Sequence, residues 1–195
     1  MKIYLLRHED RTMDLTFFSP LTEAGLENSV NLTNILEKEK INLIYSSPYI
    51  RTLQTIYPYA KKYNIKMNLD YSLGEIYDNE YIPKKSYQIT LPEYIAKGFN
   101  YNEDYKSQIY PTDINYPEKN CDFIKRIKTF LKTIILQNHK SDKNIVLVTH
   151  KGNINIIINI IKKKLKIKDD RVNSSQIGEL LLIMENNNWV LNNIN

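Results

Sequence analysis

The stretch Ile3-Tyr4-Leu5-Leu6-Arg7-His8 decides the reading of this chain. Its four apolar residues have the length and composition of a short buried strand, and the strand ends on a guanidinium and an imidazole. In an open α/β fold, sites are built where the carboxyl ends of parallel strands meet the loops that follow. Two more strand ends carry related chemistry. Arg51 opens a helix after Leu43-Ile44-Tyr45 and the turn Ser46-Ser47-Pro48, and His150 closes the strand Ile145-Val146-Leu147-Val148-Thr149. Guanidinium is always charged and pairs bidentately with phosphate oxygens, while imidazole near neutral pH is either a nucleophile or a donor. Two of each at three strand ends point to anion chemistry, with phosphoryl transfer first.

Around these ends the chain alternates strand and helix, the pattern of a parallel sheet in an α/β fold. Thr22 is a candidate N-cap for a helix in which Leu26, Val30 and Leu36 keep helical spacing. A helix from about residue 48 to 63 follows, with Pro48 in its first turn, and a short strand runs over 66–69. From 74 to about 117 the alternation dissolves into a tyrosine-rich, proline-punctuated stretch with one helix near 91–97. Such a stretch is too aromatic for a linker and reads as a substrate-facing cap or insertion. Regularity returns with a helix over 120–137, whose Phe123, Ile127, Phe130, Leu131 and Ile134 share a face. A helix from about 152 to 164 and two strands joined by Asn186-Asn187-Asn188 complete the pattern. The organisation expected is one domain, 1–195, with an insertion at about 74–117.

Composition narrows the class. The chain has 195 residues, a formal charge of +5 and one cysteine, Cys121. An internal disulfide and a multi-cysteine metal site are thereby excluded, and a reducing compartment fits. The apolar run before Arg7 is too short for a signal-peptide core, and nothing approaches the roughly 20 apolar residues of a membrane span. A cytoplasmic protein with no membrane contact is expected. The positive charge falls largely in lysine-bearing stretches at 38–40, 61–62 and 162–164, helix ends where cations oppose the dipole. No nucleic-acid-binding motif accompanies it, so no nucleic-acid partner is expected. The oligomeric state is left open.

Several strings, in order along nearly the whole chain, resemble the histidine phosphatase superfamily, branch 1, with its phosphoglycerate-mutase-like fold. They are Leu6-Arg7-His8; Ser19-Pro20-Leu21-Thr22-Glu23-Ala24-Gly25; the run from Ser46-Ser47-Pro48 through Arg51 to Gln54-Thr55; Leu73-Gly74-Glu75; and Val148-Thr149-His150. The resemblance implies a three-layer sandwich on a mostly parallel sheet, with a cap. It also implies a metal-independent, cofactor-free phosphomonoesterase acting on a phosphorylated small molecule or a phosphopeptide. By the same resemblance His8 is the nucleophile, Arg7, Arg51 and a protonated His150 hold the phosphoryl oxygens, and Glu75 is the proton donor, with Glu80 its nearby competitor. Arg126 is expected to be solvated or paired with Asp122 along its helix.

The chain departs from the family after the nucleophile. Glycine is usual there, followed by a loop with a hydroxyl and an asparagine, whereas this chain runs Glu9-Asp10-Arg11-Thr12-Met13-Asp14. Glu9 is expected to turn toward Arg11 or solvent, because an unpaired buried carboxylate is costly. Lys151 after His150 is also unusual and adds charge at the rim. The rival readings are a phosphate-binding or interaction module that has lost turnover and, less favoured, a mutase of the same fold.

Overall fold

Side chains along a strand point alternately to the two faces of its sheet, so a strand apolar at every position must be covered on both. The computed structural model describes all residues except 15, 79–81, 83, 85–87 and 168–175. In chain order its elements are β1 (Lys2–Arg7), α1 (Glu23–Lys38), β2 (Leu43–Ser46), α2 (Ile50–Lys62), β3 (Met67–Leu69), α3 (Glu93–Ala96), α4 (Asn120–Asn138), β4 (Asn144–Thr149), α5 (Lys151–Leu165), β5 (Leu180–Glu185) and β6 (Asn188–Asn193). Ile3 and Leu5 of β1 pack with Phe123, Ile127, Phe130, Ile154 and Ile157, so α4 and α5 cover that face. Tyr4 and Leu6 pack with Leu32, Leu36, Ile56 and Ala60, so α1 and α2 cover the other. The result is the expected α/β three-layer arrangement.

The sheet order is β3-β2-β4-β1-β5-β6. The first four strands are parallel, while β5 runs antiparallel to β1 and β6 to β5. Register brings the functional strand ends to one edge: Arg7 lies opposite Thr149, and Ser46 opposite Val148. Past the last paired residues the ladder continues, with His8 N donating to Thr149 O at 3.1 Å and Ser47 N to Val148 O at 3.0 Å.

Local signals account for most boundaries. The Thr22 side chain accepts from Gly25 N and caps α1. Asn186 and Asn187 both take positive φ, 50° and 64°, the conformation of a two-residue hairpin turn. Lysines occupy the last turns of α1, α2 and α5. Two expectations change. Pro48 precedes the N-cap Tyr49 and so lies outside the first turn of α2. Leu26 and Val30 are exposed, and α1 turns Gly25, Ser29, Leu32 and Leu36 inward. Its packing is set by Gly25, where a Cβ would run into the Asp10 carbonyl.

The stretch after β3 is held together by its aromatics. Tyr71, Tyr77 and Ile82 form a buried cluster with Phe17 and Tyr49, against which Ile89, Leu91, Ile109 and Tyr116 pack. Asp70 ties the stretch to the sheet edge, accepting from Tyr105 Oη at 2.6 Å and from Gln108 N at 3.0 Å.

Candidate active site

His8 sits just past the end of β1, 6 % exposed, with its Nδ1 2.7 Å from the Glu9 carbonyl oxygen. A carbonyl only accepts, so Nδ1 carries the proton and the lone pair of the neutral ring lies on Nε2. Burial, reinforced by Arg51, pushes the His8 pKa down to about 3. The ring is therefore neutral across the physiological range, as a nucleophile must be. The loop after it is fixed from α2, since Glu9 N donates to Thr55 Oγ1 at 2.9 Å and Thr55 donates to Arg51 O. Gln54 accepts from Leu21 N at 2.7 Å. The run from Ser46 to Thr55 thus carries the residues that hold the surrounding loops.

Arg51, in the first turn of α2, is buried. It donates to Thr16 O at 3.0 Å, lies 4.6 Å above the Tyr49 ring, and approaches Glu75 Oε2 at 3.3 Å. The same Glu75 oxygen is 3.3 Å from Nδ1 of His150, whose Nε2 is 2.9 Å from Ser47 Oγ. The His150 and His8 rings meet edge to face at a centroid distance of 5.3 Å. Burial next, in order, to Arg51 and His8 holds the His150 pKa well below the ordinary histidine value. The positive charge expected on His150 is thus disfavoured by its burial in this site. Burial also raises the Glu75 pKa above the ordinary carboxylate range, with Arg51 acting in the opposite direction.

His8 and Glu75 border a cleft of about 380 Å³ lined also by Arg7, Arg11, Ile76 and the first turns of α5; Arg51 and His150 are not among its lining residues, but each comes within 3.3 Å of Glu75 Oε2. The structure brings together all five predicted site residues, Arg7, His8, Arg51, Glu75 and His150; Glu80 lies outside the described residues. His150 is the N-cap of α5, so Lys151 and Gly152 border the cleft at the positive end of a helix dipole. Of the tyrosine-rich stretch, Glu75 and Ile76 are the described residues that reach this cleft. Among the described residues there is no group of three or more His, Cys, Asp or Glu placed to hold a metal, and no helix long and apolar enough to cross a membrane.

A model of the histidine phosphatase superfamily, branch 1, matches residues 3–195. The chain belongs to that family. A sequence comparison with curated proteins finds no match. Among solved structures, this chain is similar to the ecdysone phosphate phosphatase of Bombix mori in complex with tungstate, with a TM-score of 0.75 at 14 % identity over 97 % of this chain and 91 % of the other. It is also similar to the alpha-ribazole phosphatase of Shigella flexneri, at a TM-score of 0.63 and 18 % identity over 94 % and 90 %. The mycobacterial glucosyl-3-phosphoglycerate phosphatase in complex with inorganic phosphate gives 0.65 and 18 % over 98 % and 95 %. At these identities the likeness is one of fold.

Two residues of this chain behave differently from their sequence reading. Arg126 is neither solvated nor paired with Asp122. It is buried in α4, donates to both oxygens of Glu118 at 2.8 and 2.7 Å, and reaches the carbonyls of Tyr71, Ser72, Gly74 and Glu75. An i, i+4 rule sees only its own helix, and the loop it grips is distant in sequence. Glu9 turns away from the cleft but toward neither Arg11 nor solvent. Its carboxylate is buried against Gly178 and hydrogen-bonded with Asn28; burial raises its pKa, and that bond opposes the rise. Arg11, named in the sequence only as a group toward which Glu9 is expected to turn, lines the cleft itself.

Proposed function

We propose that this protein is a metal-independent phosphomonoesterase that works through a phosphohistidine on His8, acting on a phosphorylated small molecule. The observation that carries the reading is the His8 tautomer: Nδ1 donates to the Glu9 carbonyl, so the lone pair lies on Nε2 of a ring that stays neutral down to about pH 3. In the first step that lone pair bonds to phosphorus as the ester oxygen leaves, and Arg7, Arg51 and His150 stabilise charge on the equatorial oxygens. The leaving alkoxide takes its proton from Glu75, whose raised pKa favours the acid form. In the second step the Glu75 carboxylate removes a proton from water, which attacks phosphorus and frees His8. The arginines supply the positive charge that a metal supplies in other phosphatases.

The test is rapid quenching during turnover of a labelled aryl phosphate in the presence of a chelator. Acid-labile label on His8, absent from His8→Ala protein, is expected. Label on serine or cysteine, or activity that vanishes on chelation and returns with a divalent metal, refutes the mechanism. Vanadate binding with no turnover of any phosphomonoester favours the phosphate-binding module.

A further inference from the structure

Arg51 is a buried cation with few fixed partners. Its Nη1 donates to Thr16 O at 3.0 Å, and its Nε is buried without a hydrogen-bond partner among the described residues. Its counter-charge is Glu75 Oε2 at 3.3 Å, an oxygen that His150 Nδ1 also approaches at 3.3 Å. That counter-charge does not last through the proposed cycle. Glu75 is neutral while it holds its proton, charged once the ester bond has broken, and neutral again after water attacks. A guanidinium stays charged throughout, and burial in this site works against it. The partner that does not change is Tyr49. Its ring lies 4.6 Å below the Arg51 Cζ and meets the His150 ring edge to face at a centroid distance of 4.8 Å. The face of an aromatic ring is negative and attracts a cation, more strongly where water is excluded.

We infer that Tyr49 is a positioning residue, whose ring face keeps the Arg51 guanidinium aligned for the phosphoryl oxygens while Glu75 carries no charge. This inference rests on the phosphomonoesterase reading, which gives Arg51 those oxygens and Glu75 its proton. Tyr49 does not line the cleft, so it acts through Arg51 and His150 rather than on the substrate. The ring is itself fixed. Tyr49 is 1 % exposed, stands at the N-cap of α2, and packs against Phe17 at a centroid distance of 4.5 Å. Its hydroxyl is not the working part, since the buried Oη bonds to none of Arg51, Glu75 and His150.

The electrons of the ring can be withdrawn without removing the ring. Tyr49→Phe keeps its negative face, and phenylalanines of increasing fluorination incorporated at the same position weaken that face and, in the pentafluoro ring, reverse it with little change of shape. Calorimetric titration of inorganic phosphate into each protein reads the site without turnover. Tyr49→Phe is expected to bind phosphate within about twofold of wild type, and the pentafluoro protein about threefold more weakly, with Glu75 still sharing the guanidinium. In Glu75→Gln protein, which has no carboxylate charge to share, the same series in alkaline buffer is expected to fall by about tenfold, the effect of losing one desolvated cation–π contact. Thermal midpoints are expected to stay level along both series. A flat series in both backgrounds, equal slopes in the two, or an affinity that falls only in step with the thermal midpoint overturns the role of Tyr49. Where p-nitrophenyl phosphate is hydrolysed by wild type, such a result leaves the phosphatase reading standing. The expected fall with no hydrolysis of any phosphomonoester overturns the phosphatase reading and keeps Tyr49 as the support of a phosphate-binding Arg51.

Discussion

Arg126 Nη2 donates to the Glu75 carbonyl oxygen at 3.2 Å, although the two residues lie far apart in sequence and Arg126 does not line the cleft. Its Nη1 takes the carbonyls of Ser72 and Gly74 at 2.9 and 3.1 Å, and Glu118 neutralises the guanidinium. From the sheet edge, Thr149 Oγ1 and Asn153 Nδ2 donate to Leu73 O at 2.7 and 2.9 Å. The backbone that carries Glu75 is thus hydrogen-bonded from α4, β4 and α5 together. A carboxylate that moves by an ångström loses its line to a leaving oxygen.

Arg126→Met is expected to destabilise the protein by about 3–5 kcal/mol in urea unfolding, since Glu118 is left buried and unpaired. Arg126→Lys keeps the charge but loses the planar fork that spans several carbonyls. It is expected to recover part of the stability while still slowing alkyl phosphates more than p-nitrophenyl phosphate. Equal slowing of both substrates would show that Arg126 acts on stability alone.

In the proposed mechanism Glu75→Gln removes the proton donor without changing the shape of the side chain. Turnover of alkyl phosphates is expected to fall by about 10²–10⁴, and that of p-nitrophenyl phosphate far less, because its leaving group needs little protonation. The wild-type pH profile carries the same signature. In the proposed mechanism Glu75 acts as an acid, and its pKa is raised, so alkyl-phosphate turnover is expected to decline as pH rises through that raised value. The Gln variant has no such limb. Were Glu80→Gln to produce this pattern and Glu75→Gln not, the role would pass to Glu80.

What the sequence disclosed follows from how local each cause is. Strand-end placement of Arg7, His8 and His150 is written in short apolar runs, and α4 in its 3.6-residue spacing, so these were legible. The inward face of α1 was not, because Ser29 and Gly25 are buried by the close approach of Asp10 to Gly25 rather than by apolarity. The described tyrosines after β3 read as a cap, yet Tyr77 and Tyr116 pack with one another's neighbours and Tyr105 bonds to Asp70, a tertiary outcome with no periodic signal. The downward shift of the His150 pKa depends on complete burial beside Arg51, which no local string encodes.

His8 links the site to stability. Its folded pKa, about 3, lies below the ordinary histidine value of 6.5, so the unfolded chain takes up a proton first on acidification. The stability His8 permits is complete above about pH 6.5 and is lost as pH falls toward 3. Near pH 5 the loss from His8 alone is about 2 kcal/mol, from 1.5 pH units at 1.36 kcal/mol each. His150 is shifted in the same direction. Urea midpoints at about pH 7 and 5 should therefore differ less in His8→Asn protein than in wild type, and an equal difference would show that the His8 pKa is not depressed.

Glu9 and Gly178 form a matched pair. Gly178 takes φ +68°, and a Cβ there would run into the Glu9 carboxylate. The glycine usual after the nucleophile is absent, and the Glu9 side chain in its place is accommodated by a glycine on the segment leading into β5. Gly178→Ala is expected to cost about 1–3 kcal/mol, part from the left-handed backbone and part from the collision. In combination with Glu9→Gly the collision disappears and the backbone part remains, so the double variant is less destabilised than the sum of the two single ones. Because the Glu9 carboxylate is turned to Gly178 and Asn28, Glu9→Gly should leave vanadate affinity within about twofold at low and high salt. A carboxylate facing the bound oxyanion predicts otherwise: about tenfold tighter binding in the variant, shrinking as salt is added. Vanadate titration of the two proteins at two salt concentrations separates these outcomes, and the tenfold result would place Glu9 in the cleft.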